Sequence, residues 1–306
     1  MHELVTQLRE RPVPSMDHLG GDSLRHMSLE SAKEEWITCQ NNSNRLARQL
    51  CESLRLVLEP TRAAKMKGDF RTGKRLNLRK IIPYIASNFR KDKIWLRRSQ
   101  PSQREYKIVI AVDDSSSMAD NLCRQMTFEA LNMVLTAFSL LEVGQVGICS
   151  FGESVKMLHP LDQPWTDALG PDLIRQFTFE QRHTSLVELI TVSIKMMQQQ
   201  SATGNNQQLL LILSDGLFTE SPDSPRVKAA VRLARDCNLF PVCIIFDDLR
   251  KQHSIFDMKR YSGPGKLQPY MDLFPLPYYM VMRQVTAMPH MLADALRQWF
   301  ELTSSS

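Results

Sequence analysis

The chain has 306 residues, 43% hydrophobic and 23% charged, a length suited to about two domains and a composition that excludes a disordered, collagen-like or coiled-coil chain. Its longest purely apolar runs, such as Leu209–Leu213 and Val242–Phe246, fall far short of the ~20 residues of a membrane span, and the opening residues lack the basic flank and apolar core of a secretory signal. The net charge of +5 conceals an asymmetry: Arg62–Arg98 holds thirteen Lys and Arg against Asp69 and Asp92, a local net of +11 that leaves −6 for the rest. A basic segment beside an acidic domain is an electrostatic footprint for RNA or an acidic protein surface, or a solvated linker face. Six cysteines without a CxxC pair read as reduced, mostly buried thiols of a protein of the cytosol or nucleus.

Residues 1–27, polar and broken by Pro12, Pro14 and Gly20-Gly21, read as a flexible lead-in. A helix is expected from Ser31, where Ser31 and Glu34 fit a capping box, with Leu46, Leu50, Leu54 and Leu58 recurring every four residues and Pro60 ending it or sitting just past it. Residues 28–104 contain too little apolar sequence for a core of their own and are expected to pack as a helical and basic extension on the main domain, 105–306.

In that domain Tyr106-Lys-Ile-Val-Ile-Ala-Val reads as a buried strand ending in Asp113-Asp114. A helix follows with Met126, Ala130, Met133, Ala137 and Leu141 on one face, then strand Gln145–Phe151 and a short partner, Val155–Leu158. A helix begins near Ser185, which with Glu188 makes a second capping box. Strand Gln208–Ser214, helix Pro225–Cys237, strands Phe240–Phe246 and Tyr278–Arg283, and helix Met288–Leu302 complete the series. Apolar strands alternating with amphipathic helices predict an α/β fold with a doubly wound, mostly parallel sheet flanked by helices. Residues 248–277 interrupt the alternation as a long loop rich in Gly and Pro, either a docking or regulatory loop or a tolerated insertion.

Gly68-Asp-Phe-Arg-Thr-Gly73-Lys74-Arg75 imitates a phosphate-binding loop, yet Arg75 stands where magnesium needs Ser or Thr, and no buried strand precedes it. No GxSxG, no HExxH and no histidine cluster at ligand spacing points to a hydrolase. The strong constellation is Asp113-Asp114-Ser115-Ser116-Ser117, between a buried strand and a helix. Ligands bind at the carboxyl ends of strands in such sheets, and alternate residues of an extended turn let Asp113, Ser115 and Ser117 converge. Leu211-Ile-Leu-Ser-Asp215-Gly216 ends another apolar strand and can deliver a second carboxylate, while Thr184, just before a helix, can add a hydroxyl. Thr178 and Thr191 are rival hydroxyls, the first expected in an extended segment and the second inside the helix. Five hard oxygen donors suit Mg²⁺, or Mn²⁺, with waters and an open position. Asp114 reads as a turn or solvent residue and His183 as an ordinary loop histidine.

At these residues the chain resembles the von Willebrand factor A domains that carry a metal-ion-dependent adhesion site (MIDAS). The resemblance implies that Ser115, Ser117 and Thr184 ligate the ion directly or nearly so. It implies that Asp113 and Asp215 act mainly through bound water, so that a partner's acidic side chain completes the shell in adhesion rather than catalysis. Arg182-His183 precede Thr184 where many members carry Gly.

The stretches Gly68–Asn77, Ile82–Arg98, Leu141–Val146, Ser150–Lys156 and Asp294–Leu302 look like the carboxy-terminal region of the midasin family, AAA-type ATPases of large-ribosomal-subunit assembly, from about residue 30 to the end. That resemblance implies a non-catalytic domain gripping a Glu or Asp in ubiquitin-like domains of pre-60S ribosome-assembly factors. It further implies coupling to the AAA ring of a parent chain and residence in the nucleolus and nucleoplasm. RNA, the AAA ring and an import receptor are the candidates for the basic extension, and no membrane contact is expected. Two rivals remain: a metal-chelatase-type subunit pairing an A-type domain with an AAA ring, and an RNA-binding module whose affinity falls steeply with salt and ignores EDTA.

Overall fold

A serine three residues earlier than expected starts the first helix. The Ser28 hydroxyl accepts the Ser31 N–H at 3.1 Å, so α1 spans Leu29–Arg62 and Ser31 lies inside it rather than capping it. The computed structural model describes residues 27–62, 66–73, 75–98, 106–199, 208–221, 224–247, 254–261, 267–276 and 278–304. All of the expected lead-in except Met27 lies outside them, as do the side chain of Leu58 and Gly263-Pro-Gly265 of the long loop. The buried face of α1 is Ala32, Trp36, Cys39, Ser43, Ala47, Leu50 and Leu54, spaced by three or four residues, with Cys51 beside them. Of the expected leucine stripe, Leu50 and Leu54 are buried and Leu46 is half-buried, and Ala32, Ser43 and Ala47 share the buried face with them.

The chain divides into two compact units, residues 1–53 with 105–306, and residues 54–104. The second contains β1 (Met66–Phe70), β2 (Arg75–Leu76), α2 (Leu78–Ala86) and β3 (Trp95–Arg98), with the strands antiparallel in the order β1-β3-β2. Gly68–Phe70 of the GxxxxGK-like stretch end β1, and its next described residues, 71–73, lie in no helix or strand. A phosphate loop needs strand, loop and helix instead. Asp69 pairs with Lys80, and Asp92 with Arg71 at 3.1 Å, so both acidic residues of the basic segment are already engaged.

The first unit is built on β4 (Tyr106–Asp113), whose eight residues are all buried. After it come α3 (Asn121–Leu141), β5 (Gly144–Phe151), β6 (Val155–His159), α4 (Gly170–Ile174), α5 (Leu186–Gln199), β7 (Gln208–Ser214), α6 (Pro225–Asp236) and β8 (Leu239–Phe246). β9 (Lys259–Tyr261), β10 (Leu267–Pro269), β11 (Tyr279–Met282) and α7 (Met288–Ser304) follow. Six strands make one sheet in the order β11-β8-β7-β4-β5-β6, parallel except for β6 on the edge. Val109 and Ala111 join a cluster with Leu189, Ile190, Ala230 and Leu233 of α5 and α6. On the other face Trp299 of α7 lies against Tyr106 and Phe240, with ring centroids 5.5 and 6.1 Å away. The chain runs from β4 to β5 on one side and later returns to β7 on the other, so the winding switches direction beside β4.

The amino-terminal part of α1 packs on α3. The Ser43 hydroxyl donates to Asn132 Oδ1 at 2.6 Å, Asn42 to Glu129 at 2.7 Å, and Arg124 pairs with Glu35 at 2.8 Å. Trp36 lies so close to Gly170 that a Cβ there would fall 1.9 Å from its ring. The long loop is not structureless: its described part holds a short turn of helix at Ile255–Asp257, the antiparallel hairpin β9–β10 and another turn at Tyr270–Leu273. Among the described residues no helix is long and apolar enough to cross a membrane. Five of the six cysteines are buried, and burial pushes the Cys39 and Cys149 thiols up to about 12.

Candidate metal centre

Asp113 ends β4 fully buried, a position where a carboxylate needs partners. Its Oδ1 accepts the Ser115 N–H at 3.0 Å and its Oδ2 the Ser214 hydroxyl at 2.5 Å, which ties the ends of the neighbouring strands β4 and β7. Ser214 Oγ in turn accepts the Gly216 N–H at 3.0 Å, and Gly216 has φ +80°, so the turn after Asp215 suits a residue without Cβ. Asp215 Oδ1 accepts the Leu217 N–H at 3.0 Å. The Ser115 and Ser117 hydroxyls stand 2.9 Å apart, Ser115 buried and Ser117 exposed. The edge therefore opens to solvent on the Ser117 side.

Thr184 is joined to both halves of this edge. Towards β4, Gln181 bridges Ser115, and its carbonyl accepts the Ser116 N–H at 2.7 Å. Towards β7, Thr184 N–H donates to Thr219 Oγ1 at 2.8 Å and Thr219 N–H donates back to Thr184 O at 3.0 Å. Ser185 caps α5 as expected, its hydroxyl oxygen accepting the Glu188 N–H at 3.2 Å. Glu220 adds an unforeseen arm, its carboxylate accepting both the Ser185 hydroxyl and the Leu186 N–H.

Asp114 corrects the sequence reading. It is only 3% exposed, and its carboxylate accepts the Thr178 N–H (2.8 Å), the Thr178 hydroxyl (3.0 Å), the Phe179 N–H (2.6 Å) and the Gln181 side-chain amide (3.0 Å). The residue is a brace that fixes the segment leading to Thr184, and Phe179 takes φ +52° within it. Thr178 is spent on that brace, and Thr191 lies inside α5 with its hydroxyl on the Val187 carbonyl. Neither rival reaches the edge as a free hydroxyl. Sequence reasoning also missed Ser214, Gln181, Thr219 and Glu220, which hold the donors rather than being donors; only Ser214 lay inside a motif already singled out.

The electrostatics suit a cation. Burial first, and the neighbouring Asp215 charge second, push Asp113 from its ordinary 3.8 up to about 7, against the lowering pull of the Ser214 and Ser115 hydrogen bonds. Burial, then Asp113 and Asp215, also push up the Cys243 thiol. Asp215 Oδ2 is buried with no hydrogen-bond partner. A buried lone carboxylate oxygen beside a second carboxylate is costly unless something positive meets it. Among the described residues no three His, Cys, Asp or Glu side chains converge. The available donors are thus two carboxylates and the hydroxyls of Ser115, Ser117 and Thr184, an all-oxygen set that fits a hard divalent cation and not a thiolate or imidazole site.

The family model of the von Willebrand factor type A domain matches residues 108–217, which contain all five of these residues. Midasin of Dictyostelium discoideum is 44% identical over 283 residues, covering 90% of this chain and 5% of that protein. Midasin of Giardia intestinalis is 38% identical over 266 residues, covering 83% of this chain and again 5% of the relative. The chain thus spans about one twentieth of the length of these relatives. Among solved structures, proximal thread matrix protein 1 of the mussel byssus with a zinc-occupied MIDAS motif is similar at a TM-score of 0.42 and 17% identity, over 63% of this chain and 48% of that one.

Proposed function

Because this chain belongs to the von Willebrand factor type A domains, in their midasin form, we propose that its protein-interaction edge is a Mg²⁺-dependent, non-catalytic grip for a partner's Glu or Asp. The partners proposed are ubiquitin-like domains of pre-60S ribosome-assembly factors, presented to an AAA motor elsewhere in a longer chain and acting in the nucleus. The observation that carries the reading is the buried, unpartnered Asp215 Oδ2 beside Asp113, at an edge that opens to solvent at Ser117. When bound, the cation would supply the electrophile that a carboxylate from outside completes.

The chain's own residues do the rest. Asp113 and Asp215 provide the negative field, and Ser115, Ser117 and Thr184 provide neutral oxygens that leave that field unquenched. Asp114 and Thr219 keep the three contributing segments in register. Asp113 is held by the Ser115 N–H and the Ser214 hydroxyl, and the Thr184 backbone by Thr219, so these contacts fix the edge in place.

Calorimetric titration of the chain with the ubiquitin-like domain of a large-subunit assembly factor, in Mg²⁺ and in EDTA, tests the reading. Binding should need the ion and disappear in Asp113→Ala and Asp215→Ala, with circular dichroism showing both variants folded. Binding indifferent to EDTA would transfer the function to the basic segment, and unchanged affinity in the folded variants would sink the metal reading.

A further inference from the structure

The segment between β8 and β11, ambiguous in sequence between docking loop and tolerated insertion, reaches the candidate metal centre through a chain of specific contacts. Its base is latched by Asp247 at the end of β8. That carboxylate accepts the Ser254 hydroxyl at 2.8 Å, the Ile255 N–H at 3.2 Å and Arg283 Nε at 3.2 Å. Ile255 then lies beneath Gly216, where an added Cβ would meet its Cδ1 at 2.9 Å.

Two side chains of the segment take hold of the loop that begins at Asp215. The Tyr270 hydroxyl, on a side chain 1% exposed, donates to Gly216 O at 2.8 Å. The Arg260 guanidinium donates to Phe218 O at 3.0 Å and Glu220 O at 3.3 Å, and it lies 5.1 Å over the Tyr270 ring. Three alternate carbonyls, those of residues 216, 218 and 220, therefore face the segment. Between them Thr219 turns its own N–H and hydroxyl oxygen onto Thr184. Holding one side of this loop fixes the side that presents Asp215 and Thr184.

We propose that Tyr270 and Arg260 are positioning residues of the cation site: they clamp the 216–220 loop and thereby set the separation of Asp215 and Thr184. The proposal rests on the metal reading above and adds the segment that sustains it. Neither side chain is a donor to the ion. Each donates to carbonyls of the loop, Tyr270 also accepting the Phe218 N–H at 3.5 Å, and the Arg fork spans two carbonyls at once.

The test uses the whole chain with Mn²⁺ as probe, measured by the paramagnetic resonance of free and bound ion. Tyr270→Phe keeps the ring and removes the hydroxyl, and Arg260→Gln removes the fork from a side chain that is half-buried on the hairpin, so each checks the other if one folds poorly. Each variant should bind Mn²⁺ several-fold to about tenfold more weakly, tenfold being ~1.4 kcal/mol, with a changed bound-ion spectrum. A merely structural role would lower the unfolding midpoint in EDTA and leave affinity and spectrum as in wild type, and that result overturns the proposal. Failure of the wild-type chain to bind Mn²⁺ overturns the metal reading itself, so the two failures are told apart by the wild-type control.

Discussion

Asp113→Asn separates charge from shape at the centre of the site. The amide can still accept the Ser115 N–H, but it removes the ionisation that burial and Asp215 oppose. A carboxyl carried from 3.8 to about 7 on folding represents, at ~1.4 kcal/mol per pH unit, a strain on the order of 4 kcal/mol once ionised. The folded state keeps its proton where the unfolded state has released it. Stability of the metal-free chain must therefore fall as pH rises from about 4 to about 7 and level off above. The variant lacks that slope. Urea unfolding in EDTA from pH 4.5 to 8 should show the variant gaining about 3 kcal/mol on wild type across the range, by linkage from the same two values. Added Mg²⁺ should reverse the order above pH 7, because it stabilises only the chain that binds it, by RT ln(1 + [Mg²⁺]/Kd). Parallel curves in EDTA, or equal stabilisation of both chains by Mg²⁺, would refute the reasoning.

Asp114→Ala strands the N–H of buried Phe179, along with that of exposed Thr178, and should cost about 1–3 kcal/mol by the usual penalty for an unpaired buried donor; no measurable loss in urea unfolding would return Asp114 to the solvent role its sequence position suggested. Gly170→Ala sets a methyl 1.9 Å from the Trp36 ring, and should cost about 1–3 kcal/mol and shift tryptophan emission to the red as that indole is displaced. Unchanged emission would mean that α1 does not depend on this contact.

The strands and most helices were legible because their signal is local. Buried parallel strands are continuous apolar runs, and β4, β5, β7 and β8 begin and end within a residue of the expected positions. Asp113, Ser115, Ser117 and Asp215 were legible for the same reason, since each lies within a few residues of a strand end. What holds them was not. Asp114 finds its partners 64 to 67 residues away, and Tyr270 and Arg260 find theirs across 40 to 54. No window of sequence contains both ends of such a bond. The face of α1 failed differently: leucines set the apparent stripe, but Ala32, Ser43 and Ala47 are also buried, and the partner of Ser43, Asn132 of α3, lies 89 residues away. Variable motif positions such as Asp114 are where this matters most, because local pattern assigns them nothing.

A cation coordinated mainly by neutral hydroxyls attracts any carboxylate about equally, so the ion can provide strength and direction but little discrimination. Under the adhesion reading, selection then falls to what surrounds the opening. Arg182 and His183 are exposed immediately before Thr184, and Ser116 and Ala119 are exposed beside Ser117. Glu153, also exposed, accepts the Arg182 N–H at 3.3 Å and so sets the backbone of that rim. A guanidinium and an imidazole therefore stand on the Thr184 side of the opening. Arg182 and Glu153 place both signs of charge at this rim, so partner carboxylates are told apart by how their own flanking charges are arranged to meet them. Rim charges act mainly on encounter, so the discrimination they give should weaken with salt, whereas the dependence on the ion should persist.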